Sequence, residues 1–202
     1  AALWRLRALE REKGGDERAL LELTSARIQV DGDRQRDRVR FAELAVAAGD
    51  RKAALAALEG GGASPAIVES RAAILASLGR DQARGKLFAE LAAADSDRID
   101  PDVYALRAAL AFEEAALSPP VGGHAAATNE AIAAWNQVLE RAPECERALG
   151  GTVRLAARYG DLEVLVDALG RVQERATTAA AKVSAALERA HLIGHGANAD
   201  LE

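Results

Sequence analysis

Glycine followed by a polar residue recurs along the chain at intervals that fit a repeated helical unit. Glycine readily takes the left-handed conformation that ends a helix, and an aspartate after it can accept hydrogen bonds from the first free amides of the next helix. Successive glycines are 34, 30, 81 and 34 residues apart, and the long interval equals two periods of 34 plus 13 residues. Such a period predicts a solenoid of helical hairpins. The five pairs are Gly15-Asp16, Gly49-Asp50, Gly79-Arg80, Gly160-Asp161 and Gly194-His195.

The composition favours helices over sheets. Tyr, Trp and Phe together number only seven, and alanine dominates the apolar residues. Alanine is the best helix former and lets helices approach closely, whereas sheets are rich in β-branched and aromatic residues. The sequence therefore predicts an all-α fold.

Charge and hydropathy argue against two classes of partner. The net charge is -5, whereas proteins that bind nucleic acid usually carry a clustered basic excess. No apolar run approaches the roughly 20 residues that a membrane-spanning helix needs. We expect neither nucleic-acid binding nor membrane insertion.

One apolar stripe shows the helical spacing clearly. It begins at Ala131 and Trp135, which are one turn apart, and continues through Val138, Leu139 and Ala142. Such increments place the side chains on one helical face. The small residue would let a neighbouring helix approach closely, and Trp135 would fill the groove one turn further on.

The stretch 129–144, NEAIAAWNQVLERAPE, resembles the second helix of a tetratricopeptide repeat. That resemblance implies a unit of two antiparallel helices that stack into a right-handed superhelix. It also implies a binding groove lined by exposed residues of each first helix. Tyrosines that are usual in the family are mostly replaced by alanine here, so the tandem is divergent.

The resemblance covers nearly the whole chain, which we expect to be a single solenoid over residues 1–202 with about five and a half hairpins. Pro101 is expected to open a long helix that ends near Leu117, and the proline- and glycine-rich segment near 118–125 would hold the extra residues as an insertion loop. A tolerated insertion is the simpler interpretation of that loop. The predicted units are 1–33, 34–64, 65–100, 101–145, 146–179 and an incomplete one from 180.

Few residues suggest catalysis or metal binding. His191 and His195 have the spacing that would direct two imidazoles at one metal on a continuous helix, but the helix end predicted at Gly194 separates them. The segment 60–65 lacks the lysine and serine or threonine of a phosphate-binding loop, and no serine lies in a Gly-x-Ser-x-Gly frame. We expect no enzyme activity, no cofactor and no metal.

Cys145 is the single cysteine, so an internal disulfide is impossible. It is predicted to be a small buried hydrophobe. Because one cysteine does not report on redox conditions, the localisation stays open.

A row of arginines is the candidate partner-binding feature. Arg147, Arg154 and Arg158 recur at intervals of 7 and 4 residues, so they share a helical face. Arginine binds carboxylates in a bidentate manner, so such a groove could hold an acidic segment. The alternative is that the row is ordinary solvated surface. Similar phases in the first two units are occupied by Arg5, Arg36 and Arg40.

These features favour a non-catalytic protein-protein interaction scaffold that binds a peptide or protein segment in the concave groove. The alternative is a regulatory or positioning domain of a larger protein, such as a kinase, a regulator or an export component. The chain starts without methionine, and its last unit is incomplete, so we expect a piece of a longer protein. We further expect that the C-terminal end is frayed or covered by a neighbouring molecule, because Val183, Leu187, Ala190 and Leu192 lose their cover there. The alanine- and arginine-rich composition with only four lysines is typical of a bacterial genome rich in G and C.

Overall fold

The computed structural model describes residues 12, 14, 16–31, 35–62, 64–94, 100–119, 123–159 and 162–199, without the side chains of 17, 30, 31 and 195–199. Every regular element in these ranges is an α-helix, so the predicted all-α fold class is confirmed. The ten helices that they form are α1 (Glu17–Asp31), α2 (Gln35–Ala47), α3 (Arg51–Glu59), α4 (Pro65–Ser77), α5 (Asp81–Ala93), α6 (Pro101–Leu117), α7 (His124–Arg141), α8 (Glu146–Tyr159), α9 (Leu162–Arg175) and α10 (Ala179–Ala199).

The chain divides into two compact units, Ala1–Arg80 and Asp81–Glu202. In the first, α2 pairs with α3, α4 packs on both, and α1 packs on α2. Its core is built around Ala45, Ala54, Leu58 and Ile67, which are completely buried. The core of the first unit therefore combines small and large side chains, which suits dense helix packing.

In the second unit each helix from α5 to α10 packs on the next one in sequence. This is the arrangement of a helical repeat, in which each element contacts mainly its neighbours. The predicted stripe on α7 is largely confirmed: Ala131, Trp135, Val138 and Leu139 are all buried. Ala142 is exposed, because the helix ends at Arg141 and Ala142 is only its C-terminal cap.

Two of the predicted glycine turns are present. Gly49 has φ 83° and Gly79 has φ 63°, which is the left-handed region that favours glycine. Asp50 then caps α3 by accepting a hydrogen bond from the amide of Ala53 at 2.9 Å. Asp16, just before α1, accepts a hydrogen bond from the amide of Ala19 at 3.0 Å. Gly15, Gly160 and Asp161 lie outside the described residues.

The helix end predicted at Gly194 is wrong. Helix α10 runs from Ala179 to Ala199 without interruption. A glycine inside a helix costs only about 1 kcal/mol relative to alanine, and no proline follows it to stop the helix. Glycine permits a helix end but does not impose one.

The observed helix bounds can be compared with the remaining predicted segments. The unit predicted over 65–100 contributes α4 to the first compact unit and α5 to the second. Pro101 opens α6, which ends at Leu117, and α7 begins at His124. No helix in the described part of the chain is both long and apolar enough to cross a membrane.

Candidate functional site

The arginine row consists of Arg147, Arg154 and Arg158, and one continuous helix, α8, carries all three. All are exposed. Arg158 also lies over the Tyr159 ring, with 5.9 Å between the guanidinium carbon and the ring centroid. Within the described residues no ion pair is recorded for Arg147 or Arg158, so both charges face solvent.

Arg154 differs from its neighbours because it binds a buried carboxylate of the same chain. It donates to Glu113 Oε1 through Nε at 3.1 Å and through Nη2 at 2.9 Å. Glu113 lies on α6 and is buried. A buried carboxylate needs such a partner, since an isolated buried charge is strongly unfavourable. The ion pair thus joins α6 to α8, while 59% of the Arg154 side chain stays exposed.

Glu113 also explains the position of the buried tryptophan. Trp135 is fully buried, and its indole Nε1 donates to Glu113 Oε2 at 3.0 Å. The ring packs directly on the backbone of Gly151, where an added Cβ would lie 2.5 Å from Trp135 Cε2. Sequence reasoning identified Trp135 but missed Glu113 and Gly151. The one available signal for Glu113 was a pair of glutamates inside the apolar run of α6, which does not distinguish the buried Glu113 from the exposed Glu114.

A cleft of about 430 Å³ opens between α8 and α10, with α9 beneath it. We call it the α8–α10 cleft. Its apolar wall includes Leu149 and Val153 of α8, Leu169 and Val172 of α9, and Ala185 of α10. Leu149, Leu169 and Ala185 belong to the buried core, whereas the two valines are half-buried. The cleft therefore presents apolar side chains to solvent at the end of the second unit.

Three charged side chains also line this cleft: Glu146, Arg154 and Glu188. Glu146 accepts a hydrogen bond from the Thr177 hydroxyl. For Glu188 the described part of the structure records no hydrogen bond or ion pair. Because Glu113 already matches the charge of Arg154, the cleft carries an excess of negative charge.

The arginines expected in the first unit have different surroundings. Arg36 is exposed, whereas Arg40 pairs with Glu43 at 3.2 Å and with Glu12. The hydrogen bond that the Arg40 guanidinium donates to Glu43, and then the one that it donates to Glu12, raise the pKa of Arg40 above its usual value. These residues line a polar cavity of about 820 Å³ together with the Arg27–Asp37 ion pair. Arg5 lies outside the described residues.

A second apolar cavity, of about 240 Å³, lies beside Cys145. Val103, Leu106 and Val138 contribute to its wall, and the Asp102–Arg141 ion pair at 3.2 Å lies at the same cavity. Cys145 is half-buried and free, so the expectation of a buried cysteine is wrong. It stands immediately before α8, where its carbonyl accepts the amides of Ala148 and Leu149, and this position in the turn keeps part of it exposed.

No helix end separates the two histidines, in contrast to the prediction. Because α10 continues through Gly194, His191 and His195 belong to one helix, four residues apart. His191 is exposed, and the His195 side chain lies outside the described residues. Across the part of the chain that the structure describes, no group of three or more histidine, cysteine, aspartate or glutamate side chains could hold a metal.

No protein-family model matches the sequence, and no curated protein matches it. Among solved structures, the chain is similar to the crystal structure of the P58(IPK) TPR domain, with 14% identity and a TM-score of 0.42, over 96% of this chain and 66% of that one. It is also similar to a tetratricopeptide repeat protein from Parabacteroides merdae ATCC 43184, with 14% identity and a TM-score of 0.35, over 93% of this chain and 84% of that one. Both are tetratricopeptide-repeat structures, the family that the sequence resembles.

Proposed function

We propose that the chain is a non-catalytic interaction module that binds an acidic segment of another protein along the arginine row of α8. The observation that carries the proposal is the exposure of Arg147 and Arg158 on one helix, with no ion pair recorded for either among the described residues. An exposed arginine that is not already engaged in an ion pair is available for a partner's carboxylate.

The geometry of the helix sets the spacing of the partner's acids. Arg147 and Arg158 are eleven residues apart on α8, which corresponds to about 16 Å at 1.5 Å per residue. An extended chain advances about 3.3 Å per residue. Because successive side chains of an extended chain point to opposite sides, two acids that both face α8 must be an even number of positions apart. Four positions span about 13 Å, and the flexible arginine side chains can cover the difference.

Arg154 lies between these two arginines and has a smaller role in the proposal. Its guanidinium is already paired with Glu113, so Arg154 attracts a second carboxylate less strongly. By the same reasoning Arg36 is the better candidate in the first unit, because Arg40 is already paired with Glu12 and Glu43. Arg5 is retained as a candidate from its sequence position alone.

Charge reversal tests the proposal directly. The probe is a fluorescein-labelled extended peptide with two glutamates four positions apart, and binding is measured by fluorescence anisotropy at low salt. The double variant Arg147→Glu, Arg158→Glu should weaken binding about tenfold, because two exposed ion pairs of up to about 1 kcal/mol each become repulsive. The affinity of the unmodified protein should also fall as salt is added.

The matched control is the double variant Arg51→Glu, Arg80→Glu, which reverses two exposed arginines of the first unit. It changes the net charge by the same amount but leaves α8 intact. If both double variants bind the peptide equally well, the arginine row is solvated surface and the proposal is wrong.

A further inference from the structure

The α8–α10 cleft combines features that the arginine row lacks. Its base is formed by buried core residues, Leu149 and Leu169, so it is a depression in the folded core. Val153 and Val172 stay half-exposed in its wall. A volume of about 430 Å³ lies within the roughly 300–1,000 Å³ that is typical of ligand pockets, and it is large enough for a bulky side chain.

The charges around the cleft indicate the chemistry of what binds there. Glu146 and Glu188 both line it and are both exposed. The one cation among the described lining residues, Arg154, is matched by Glu113. A cationic group placed at the cleft would meet two carboxylates, whereas an anionic group would be repelled by both.

We propose that the α8–α10 cleft binds a protein segment that carries a large apolar side chain flanked by lysine or arginine. The apolar side chain enters between Val153 and Val172, and the basic side chain pairs with Glu146 or Glu188. This goes beyond the arginine row and does not depend on it. The two surfaces share Arg154 but select opposite charges.

The probe is a short peptide with a central phenylalanine flanked on both sides by lysine, together with a matched peptide in which glutamate replaces lysine. Binding is followed in the unmodified protein by methyl-region NMR, using the resonances of Val153 and Val172. The lysine peptide should shift these resonances in a saturable manner and bind at least about fivefold more tightly than the glutamate peptide, since each exposed pair contributes up to roughly a fivefold change in affinity. The double variant Glu146→Gln, Glu188→Gln should reduce this preference to within about twofold.

Steric filling provides a second test with a matched control. Ser184 lines the cleft from α10, whereas its neighbour Val183 is 59% exposed and is not part of the lining. Ser184→Phe should abolish the shifts of Val153 and Val172, and Val183→Phe should leave them intact. Because both variants add a ring at an exposed position of the same helix, a general loss of folding would affect them alike.

The outcomes separate this inference from the proposed function. Arg147→Glu, Arg158→Glu should not weaken lysine-peptide binding, because it adds negative charge beside Glu146, even if it abolishes binding of the acidic peptide. The inference is overturned if neither peptide shifts the two valines, if the glutamate peptide binds as tightly as the lysine peptide, or if Val183→Phe blocks binding as strongly as Ser184→Phe.

Discussion

At the scale of single residues, two adjacent glycines on α8 have opposite surroundings. A Cβ on Gly151 would lie 2.5 and 2.6 Å from Cε2 and Nε1 of the buried Trp135 ring, and that ring cannot move away without disturbing its hydrogen bond to Glu113. A Cβ on Gly150 would meet only the end of the Arg154 side chain, at 3.2 Å. Helix propensity favours alanine equally at both positions, so the difference between them measures tertiary packing.

We predict that Gly151→Ala lowers the free energy of unfolding by about 1–3 kcal/mol, because the added methyl overpacks the interface between α7 and α8. Gly150→Ala should raise it slightly or leave it within about 0.5 kcal/mol, since the flexible end of Arg154 can shift. Denaturant unfolding followed by tryptophan fluorescence gives both values. Equal effects of the two substitutions would mean that Trp135 does not pack on Gly151 as described.

At the scale of elements, α10 leaves large apolar side chains exposed. Val183 is 59% exposed and Leu187 is 68% exposed, while Ala185 on the opposite face is buried. The expected loss of cover is thus present at these two residues and at Ala190, whereas Leu192 is half-buried. Covering of this face by a neighbouring molecule remains a prediction.

The continuity of α10 has a direct test in Gly194. An added Cβ there would meet nothing within 4 Å, and the same holds for Gly79, whose φ is 63°. Gly194→Ala should stabilise the protein by about 0.5–1 kcal/mol, because it replaces a glycine inside a helix. Gly79→Ala should destabilise it by about 1–2 kcal/mol, because alanine is strained in the left-handed conformation.

Thermal unfolding followed by circular dichroism at the helical band measures both changes. Since neither substitution creates a contact, the backbone conformation alone decides the sign. A loss of stability in Gly194→Ala would show that the chain ends a helix at this glycine, as the sequence pattern had predicted.

At the scale of the whole molecule, the two compact units differ in size. The second unit contains six helices, α5 to α10, each packed on the next. Its core includes the Glu113, Trp135 and Arg154 network, in which α6, α7 and α8 are joined by hydrogen bonds. All partners of this network belong to residues 81–202.

We predict that a fragment comprising residues 81–202 folds by itself. Nearest-neighbour packing from α5 to α10 provides its core, and Trp135 is its only tryptophan. Denaturant unfolding of the fragment should be cooperative. Its denaturant midpoint, measured by tryptophan fluorescence, should lie close to that of the full chain. Gly151→Ala should destabilise the fragment and the full chain by the same amount. A fragment with exposed tryptophan and no cooperative transition would contradict the prediction.

The helices and much of the core could be predicted from the sequence. The spacing of Ala131, Trp135 and Val138 places them on one face in any α-helix, and Gly49-Asp50 combines a left-handed residue with a capping side chain. These features depend on residues a few positions apart, whose geometry follows from the helix itself. The alignment of Arg147, Arg154 and Arg158 is of the same kind.

The tertiary structure determines which residues the helical faces contact. Glu113 lies 22 residues before Trp135 and 41 before Arg154, and only the packing of α6, α7 and α8 brings the three together. That packing pairs Arg154 with Glu113 of the same chain. Arg147 and Arg158 have no ion pair among the described residues. Helix packing also opens a cleft between α8 and α10 where the sequence shows only two helical patterns. Helical periodicity specifies which side chains share a surface, but the charge and shape of that surface depend on contacts between residues far apart in the chain.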